Sequence, residues 1–415
     1  MAGERHVLVI GGGVIGLCCG YFLAKAGYRV TVVNRDATGK ESCSDGNAGM
    51  IVPSHFTPLA APGMVSLGLK WMLNRRSPFS IRPRLDADLA RWCWQFFRHA
   101  NRRHVADTSE LLRDLSLESR ALFEELSEEL HFELVGRGLL MLCETGKALE
   151  EEREVAKAAN RLGIQAEVCS PERLRELDPD IRMNVRGGVW FEQDAHLDSV
   201  SFLDALRRGI ESNGGQFRGS EVVDFECKDG SIYRAVLSGG ERVQADQFVI
   251  AGGAWSPLLA KRLGLRLPMQ GGKGYSFTLT EPKKIPRLCS LLQEGRVAVT
   301  PMGETLRVAG TMEICGNDLS VAPLRLQGII DSFCRFFPDF TPVDFEGHEP
   351  WSGLRPCSPD GLPYVGAVPG YRNAIVATGH AMIGLSLGPV TGKLVSDLCR
   401  DGTPTDTRID PARFC

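Results

Sequence analysis

Residues 7–35 constrain this chain more than any other stretch. They read Val7-Leu8-Val9-Ile10, then Gly11-Gly12-Gly13-Val14-Ile15-Gly16, then an apolar-periodic run to Gly27, then Tyr28-Arg29-Val30-Thr31-Val32-Val33-Asn34. This order predicts strand, glycine turn, helix and strand. The glycines at 11, 13 and 16 match GxGxxG spacing. Gly11 suits the tight turn, Gly13 lets a pyrophosphate approach the backbone, and Gly16 lets the helix pack on the strand. The helix N-terminus at Val14 and Ile15 then offers free N–H groups and a partial positive charge to the phosphates. The second strand departs from the rule. Asp or Glu is expected at its end to bind the ribose, and here Asn34-Arg35 stands instead. Asn binds without a charge, and a neutral residue followed by Arg also suits a 2′-phosphate. Residues 1–35 alone therefore allow FAD, NAD or NADP.

A chain of 415 residues is too long for one ordinary core, which predicts two domains. A net charge of −3 gives no global reason to expect nucleic acid. The 13 cysteines include no CxxC and no Cys/His cluster with zinc spacing. They are expected to be mostly buried, reduced thiols of a cytoplasmic protein, with no metal. Arg5-His6 before an apolar run mimics a signal peptide, but the glycine spacing and the lack of a small-residue cleavage site argue otherwise. No run of about 18 apolar residues predicts a membrane span.

After Arg35 a small, polar loop ends in Ser42-Cys43-Ser44-Asp45-Gly46-Asn47-Ala48-Gly49-Met50, placed to wall a large cofactor. Prolines 53, 58, 62, 78 and 83 break up the next segment, in which Trp71, Leu73, Arg75 and Arg76 precede a helix from about Asp86. Leu89, Trp92, Cys93, Phe96, Phe97 and Ala100 fall on one face of that helix, with Arg91, Arg98, Arg102 and Arg103 off the stripe. Core packing with a solvated basic face is the simpler reading, and peripheral contact with the inner membrane face is the other. Further helices are predicted over 108–130, 148–162 and 200–213. Phe248-Val249-Ile250 reads as a buried strand running into Ala251-Gly252-Gly253-Ala254-Trp255. A strand at 374–377 enters a second glycine-rich turn, Thr378-Gly379-His380 to Gly388, and a last helix covers 389–398. A nicotinamide enzyme with a contiguous N-terminal nucleotide unit does not need that turn, whereas a flavin protein uses one, its helix dipole facing the reduced ring. The nucleotide domain is then discontinuous in sequence.

Taken together these motifs resemble the FAD-dependent D-amino acid oxidases and dehydrogenases, with glycine and sarcosine oxidases as relatives, and most of all the small subunit of the bacterial D-amino acid dehydrogenases. The resemblance runs nearly end to end. It rests on the fingerprint at 11–16, Asn47-Ala48-Gly49, Ala60-Ala61-Pro62-Gly63, Lys273-Gly274-Tyr275-Ser276, Trp351-Ser352-Gly353-Leu354-Arg355-Pro356, Pro359-Asp360-Gly361 and Thr378-Gly379-His380. It implies an α/β fold with a Rossmann-like FAD-binding domain and an α+β substrate domain whose sheet is mostly antiparallel. The expected division is 1–52, 196–268 and 353–415 for the first and 53–195 and 269–352 for the second.

The resemblance implies non-covalent FAD held by Gly11, Gly13, Val14, Ile15 and Gly16, by Asn34 and Arg35, and by Ser42, Ser44 and Asn47, Ala48, Gly49, Met50. Further contacts are implied from the Val223 backbone, from Ala251, Gly252, Gly253 and Trp255, and from Gly379, His380, Met382, Ile383 and Gly384. It implies Arg355 as the carboxylate-binding residue of an amino acid substrate, with Tyr275 and His55 as further active-site candidates. The reaction expected is oxidation of a D-amino acid, with D-proline and D-hydroxyproline types among the candidates, to an imino acid. A hydride leaves the α-carbon for the flavin, and electrons pass on to a quinone or respiratory-chain acceptor. A neutral amine would need no protein base, so the work of the chain is orientation. Glycine- or sarcosine-type amine oxidation and an NADP-dependent oxidoreductase are the alternatives.

Overall fold

The computed structural model describes residues 5–36, 42–72, 74 and 76–415. Leu73 and Arg75, noted above for their composition, lie outside the described residues, as do 37–41 of the loop after Arg35. A six-stranded sheet forms the first layer, in the order Gln216–Gly219, Arg29–Asn34, His6–Ile10, Gln247–Ile250, Ala374–Thr378, Tyr364–Ala367. The first five strands run parallel and the last is antiparallel to its neighbour. Val7 and Val9 face a core that holds helices Val14–Lys25, Ser199–Ser212 and Gly388–Asp401, while Leu8 and Ile10 face a second core. Burial on both faces explains why these strands read as continuous apolar runs. The second core is closed by the antiparallel strands Val222–Lys228, Ser231–Leu237 and Arg242–Gln244 and by helix Ser256–Arg262.

A nine-stranded sheet forms the second layer. Its main path runs Trp351–Cys357, Gln270–Leu279, Thr305–Ile314, Val297–Met302, Cys289–Leu292, Leu139–Cys143, Gly187–Phe191, Ala166–Cys169, and Phe79–Ile81 adds to Thr305–Ile314. Pairing is antiparallel except where Cys289–Leu292 meets Leu139–Cys143 and Thr305–Ile314 meets Phe79–Ile81. The architecture is the α/β fold expected, a parallel sheet beside a mostly antiparallel one. The long helix Arg102–Leu130 belongs to the first layer's core, to which it contributes Leu112, Phe123 and Leu126.

The basic aromatic helix expected over 86–104 is two helices. Ala87–His99 starts at Asp86, whose side chain accepts from the Asp88 amide, and ends at Ala100. Asn101 caps a new helix by accepting from the His104 amide at 3.0 Å. A side-chain cap of this kind favours a restart over continuation. Leu89 and Trp92 are buried as the periodicity predicts, but Phe97 is 60% exposed beside Trp94 at 59%. The apolar stripe is therefore narrower than its sequence pattern. All 13 cysteines are free. No helix among the described residues is long and apolar enough to cross a membrane.

Candidate active site

The turn after the first strand has the geometry its glycines require. Gly11 adopts φ +124°, and a Cβ at Gly16 would lie 1.9 Å from the Gly11 carbonyl oxygen, so helix and strand touch backbone to backbone. The Gly12 amide donates to Asn34 Oδ1 at 3.3 Å and the Val14 amide to Ser44 Oγ at 3.0 Å. Gly13 and Ile15 offer amides with no protein acceptor among the described residues, aimed where an anion would sit. Asn34 also donates to the Asp36 carbonyl at 2.9 Å, so its amide ties the glycine turn to the loop after the second strand. An Asp at this position would accept from Gly12 but could not donate to Asp36.

From this turn a cavity of about 940 Å³ runs to the second sheet. At the turn it is lined by Gly11, Gly13, Val14, Ile15, Asn34 and Arg35. Arg35 lies 3.8 Å over the Trp255 ring, and both line the cavity with Ala251, Gly252 and Gly253. Val223 lines it too. The ladder to Ser231–Leu237 skips Val223, pairing Val222 with Leu237 and Asp224 with Val236. The bulge leaves the Val223 backbone free for a ligand. Ser42, Ser44, Asn47, Ala48 and Met50 form a wall further along. His380, Met382, Ile383 and Gly384 come from the tail. Gly49 and Gly379 stand behind the walls: both have positive φ, and a Cβ would strike the Leu197 carbonyl at the first and Tyr364 at the second. These residues fit an elongated dinucleotide: free amides at a helix N-terminus, an unpaired strand backbone and a cavity spanning both layers.

At the second sheet the cavity meets Arg355. A Cβ at Gly274 would lie 2.1 Å from Arg355 Nη1, so only glycine leaves room for the guanidinium. Arg355 Nη1 donates to the Thr311 carbonyl at 2.8 Å. Thr311 has φ +69°, rare for a β-branched residue, and sits where the ladder between Gln270–Leu279 and Thr305–Ile314 shifts register. The bulge aims that carbonyl at Arg355. No carboxylate among the described residues forms an ion pair with Arg355.

Tyr275 lines the cavity as well. Gly274 faces Arg355, and strand alternation sends the next side chain to the opposite face. Tyr275 is buried with Phe277 and Phe333, and its hydroxyl donates to Glu313 at 2.7 Å in a group with Lys273 and Arg325. Its ring packs in the core and its hydroxyl is engaged by Glu313 at the cavity's edge. The His380 ring lies with its Nε2 3.0 Å from Thr391 Oγ1, while burial pushes its pKa down to about 3. The His380 backbone is bridged to Cys357. His55 does line the cavity, and burial followed by the charge of Arg296 pushes it down to about 4.

Several cavity residues carry no local sequence signal. Arg296 lines the wall at φ +50°, where Glu152, Glu151 and Glu294 supply opposing charge. Trp351 packs so closely on Gly46 that a Cβ there would overlap its ring at 2.1 Å. Asp194 reaches the His55 loop through Ser54. Only the glycines at 46 and 353, which make room for Trp351, hint at such contacts.

The chain is 32% identical over 412 residues, 97% of each chain, to the D-amino acid dehydrogenase of Paramagnetospirillum magneticum (strain ATCC 700264 / AMB-1). It is 33% identical to that of Xylella fastidiosa (strain M12), covering 99% of this chain and 95% of the other. Among solved structures, glycine oxidase from Geobacillus kaustophilus superposes with a TM-score of 0.77 at 24% identity, covering 99% of both chains. L-proline dehydrogenase from P. horikoshii superposes at 0.74 with 19% identity, covering 100% of this chain and 98% of the other, and these two share the fold. The family described as FAD dependent oxidoreductase (DAO) matches residues 6–398, which sets aside the NADP reading of Asn34-Arg35. This chain is a member of that FAD-dependent oxidoreductase family and a homologue of the D-amino acid dehydrogenases.

Proposed function

We propose that this protein oxidises a D-amino acid, with D-proline and D-hydroxyproline types among the candidates, to the corresponding imino acid, using FAD bound without a covalent link. FAD supplies the hydride acceptor. The observation that carries the reading is Arg355, a guanidinium lining the cavity, oriented by the Thr311 carbonyl and free of any carboxylate partner among the described residues. Such a group grips a substrate carboxylate through two charge-assisted bonds and fixes the α-carbon. The amides of Gly13 and Ile15 receive the pyrophosphate, and Val223 meets the adenine end through its backbone. Met50, Ala48 and the 380–384 turn support the ring. Burial pushes the thiol of Cys43, which lines the cavity, up to about 11, so it stays protonated at neutral pH. A protonated thiol is a poor nucleophile, which favours non-covalent flavin.

Two finer parts belong to the same reading. A quinone or respiratory-chain component takes the electrons, and the exposed Trp94, Phe97, Arg98, Arg102 and Arg103 contact an anionic membrane surface. The test is a panel of D- and L-amino acids, glycine and sarcosine, added anaerobically to the purified protein while flavin absorbance is followed. Bleaching by cyclic or acyclic D-amino acids supports the reading. Bleaching by glycine or sarcosine alone transfers the protein to amine oxidation, and a colourless protein that takes up no FAD ends the proposal.

A further inference from the structure

Beyond the strand Met50–Ile51, the chain brings a serine and a histidine against a carboxylate from far along the sequence. Asp194 is fully buried. Its Oδ2 accepts from the Ser54 hydroxyl at 2.5 Å and its Oδ1 from the Ser54 amide at 3.0 Å. Ser54 is buried as well, and its Oγ lies 3.2 Å from His55 Nδ1. A hydroxyl has one proton to donate, and here it goes to Asp194. The second bond then requires the proton on His55 Nδ1, which leaves Nε2 with a free lone pair. Nε2 has no protein partner among the described residues, and the ring lines the cavity that holds Arg355.

We propose that His55, Ser54 and Asp194 form a proton path that deprotonates the ammonium group of the bound amino acid. The proposal rests on the reading of this cavity as a site of amino acid oxidation. An α-amine must be neutral before its lone pair can assist departure of a hydride from the α-carbon. In the relay an N–H bond of the ammonium breaks and its proton joins His55 Nε2. The Nδ1 proton passes to Ser54 Oγ, and the Ser54 proton passes to the Asp194 carboxylate. The net change is an ammonium, primary or secondary, and a carboxylate to a neutral amine and a carboxylic acid, with no electrons exchanged. His55 ends neutral, as its other tautomer, so no imidazolium has to stand beside Arg296.

The surroundings suit these roles. Burial is the main cause that lifts the Asp194 carboxyl to about 7, against the two Ser54 bonds and the charge of Arg120, which pull the other way. Such a carboxylate accepts a proton far more readily than an ordinary one. Burial and Arg296 hold His55 neutral, which makes it a shuttle and not a store. Among the described residues, the buried Cys289 thiol is a further titratable neighbour of Asp194, and burial raises its pKa, so it adds no charge.

The experiment is anaerobic reduction of the FAD-loaded protein by a D-amino acid, in wild type, Asp194→Asn, Ser54→Ala and His55→Gln, from pH 6 to pH 10. Proton transfer by a placed group contributes about 100-fold or more. Each variant is expected to fall by about that factor at pH 7 and to return toward the wild-type rate near pH 10, above the pKa of ordinary α-amines. A deficit of equal size at both pH values means that the cluster only ties the loop, and it overturns the proposal. Equal rates at pH 7 overturn it too. A second readout needs no turnover: ¹⁵N-histidine NMR of the FAD-loaded protein is expected to show His55 protonated on Nδ1, with that preference lost in Ser54→Ala. An Nε2-protonated His55 in wild type refutes the path. A wild-type protein that no amino acid reduces refutes the functional reading, and the path with it. A wild type that is reduced, with a deficit independent of pH in the variants, refutes the path alone.

Discussion

On the proposed reading, Arg355→Leu removes the side chain that grips the substrate carboxylate. In the native site Nη1 is tied to the Thr311 carbonyl at 2.8 Å, which leaves Nη2 and the second Nη1 hydrogen for a carboxylate. Two charge-assisted bonds at roughly 1.5–3 kcal/mol each contribute about 3–6 kcal/mol. At about 1.4 kcal/mol per tenfold, half-saturation by a D-amino acid should rise by roughly 100- to 10,000-fold. The variant also strips a donor from the buried Thr311 carbonyl, which costs about 1–3 kcal/mol of stability. Arg355→Lys is therefore the companion: it keeps a cation but loses the two-pronged grip. The assay is flavin bleaching, with the matching amino acid amide as a control that lacks the carboxylate. The amide should respond almost equally to wild type and variant, and FAD content should be unchanged. If acid and amide lose affinity to the same extent, the guanidinium does not read the carboxylate and the argument fails.

Gly16→Ala forces a Cβ to within 1.9 Å of the Gly11 oxygen, so it should lose about 3 kcal/mol or more along with FAD retention, measured by Tm and by flavin released on gel filtration. Retained flavin at an unchanged Tm would contradict the packing described. Asp194 has a folded pKa raised to about 7 against an unfolded value near 3.9. A raised folded pKa means that the folded state holds the proton more tightly. The stabilisation is full below about pH 4 and is lost as pH rises through 7. Asp194→Asn should therefore shrink the fall in Tm between pH 5 and pH 8, and an unchanged fall would show that Asp194 does not titrate there. Changing Arg91, Arg98, Arg102 and Arg103 together to Glu should abolish binding to anionic liposomes in a sedimentation assay; equal sedimentation of wild type and variant would remove the membrane contact.

What could be read from the amino acids divides along sequence distance. The fingerprint at 11–16 is local, since each glycine meets a constraint set within a few residues or by the adjacent strand. The cavity wall at 42–50 was legible for the same reason, by following directly on the second strand. Arg355 was found through family motifs, because nothing in Gly353-Leu354-Arg355-Pro356 itself reports a carboxylate. The partner of Tyr275 was not legible, because a strand residue's side chain can point to either face and the acceptor of its hydroxyl, Glu313, lies on another strand. The break at Ala100-Asn101 was hidden because apolar periodicity continues across it, while the cap that restarts the helix depends on one side-chain rotamer. Ser54 and Asp194 lie too far apart for any pattern to join them, and only the folded chain places one beside the other.

Strand Ala374–Thr378 pairs with Gln247–Ile250, and helix Gly388–Asp401 packs so tightly on Val14–Lys25 that a Cβ at Gly392 would lie 2.6 Å from the Cys18 carbonyl oxygen. A ribosome that has released only the first three hundred or so residues has made the phosphate-binding turn but not the helix that buries its partner's flank. Assembly of the flavin pocket therefore waits for the last part of translation, and a nascent chain stalled short of that helix should expose the apolar flank of Val14–Lys25 to chaperones.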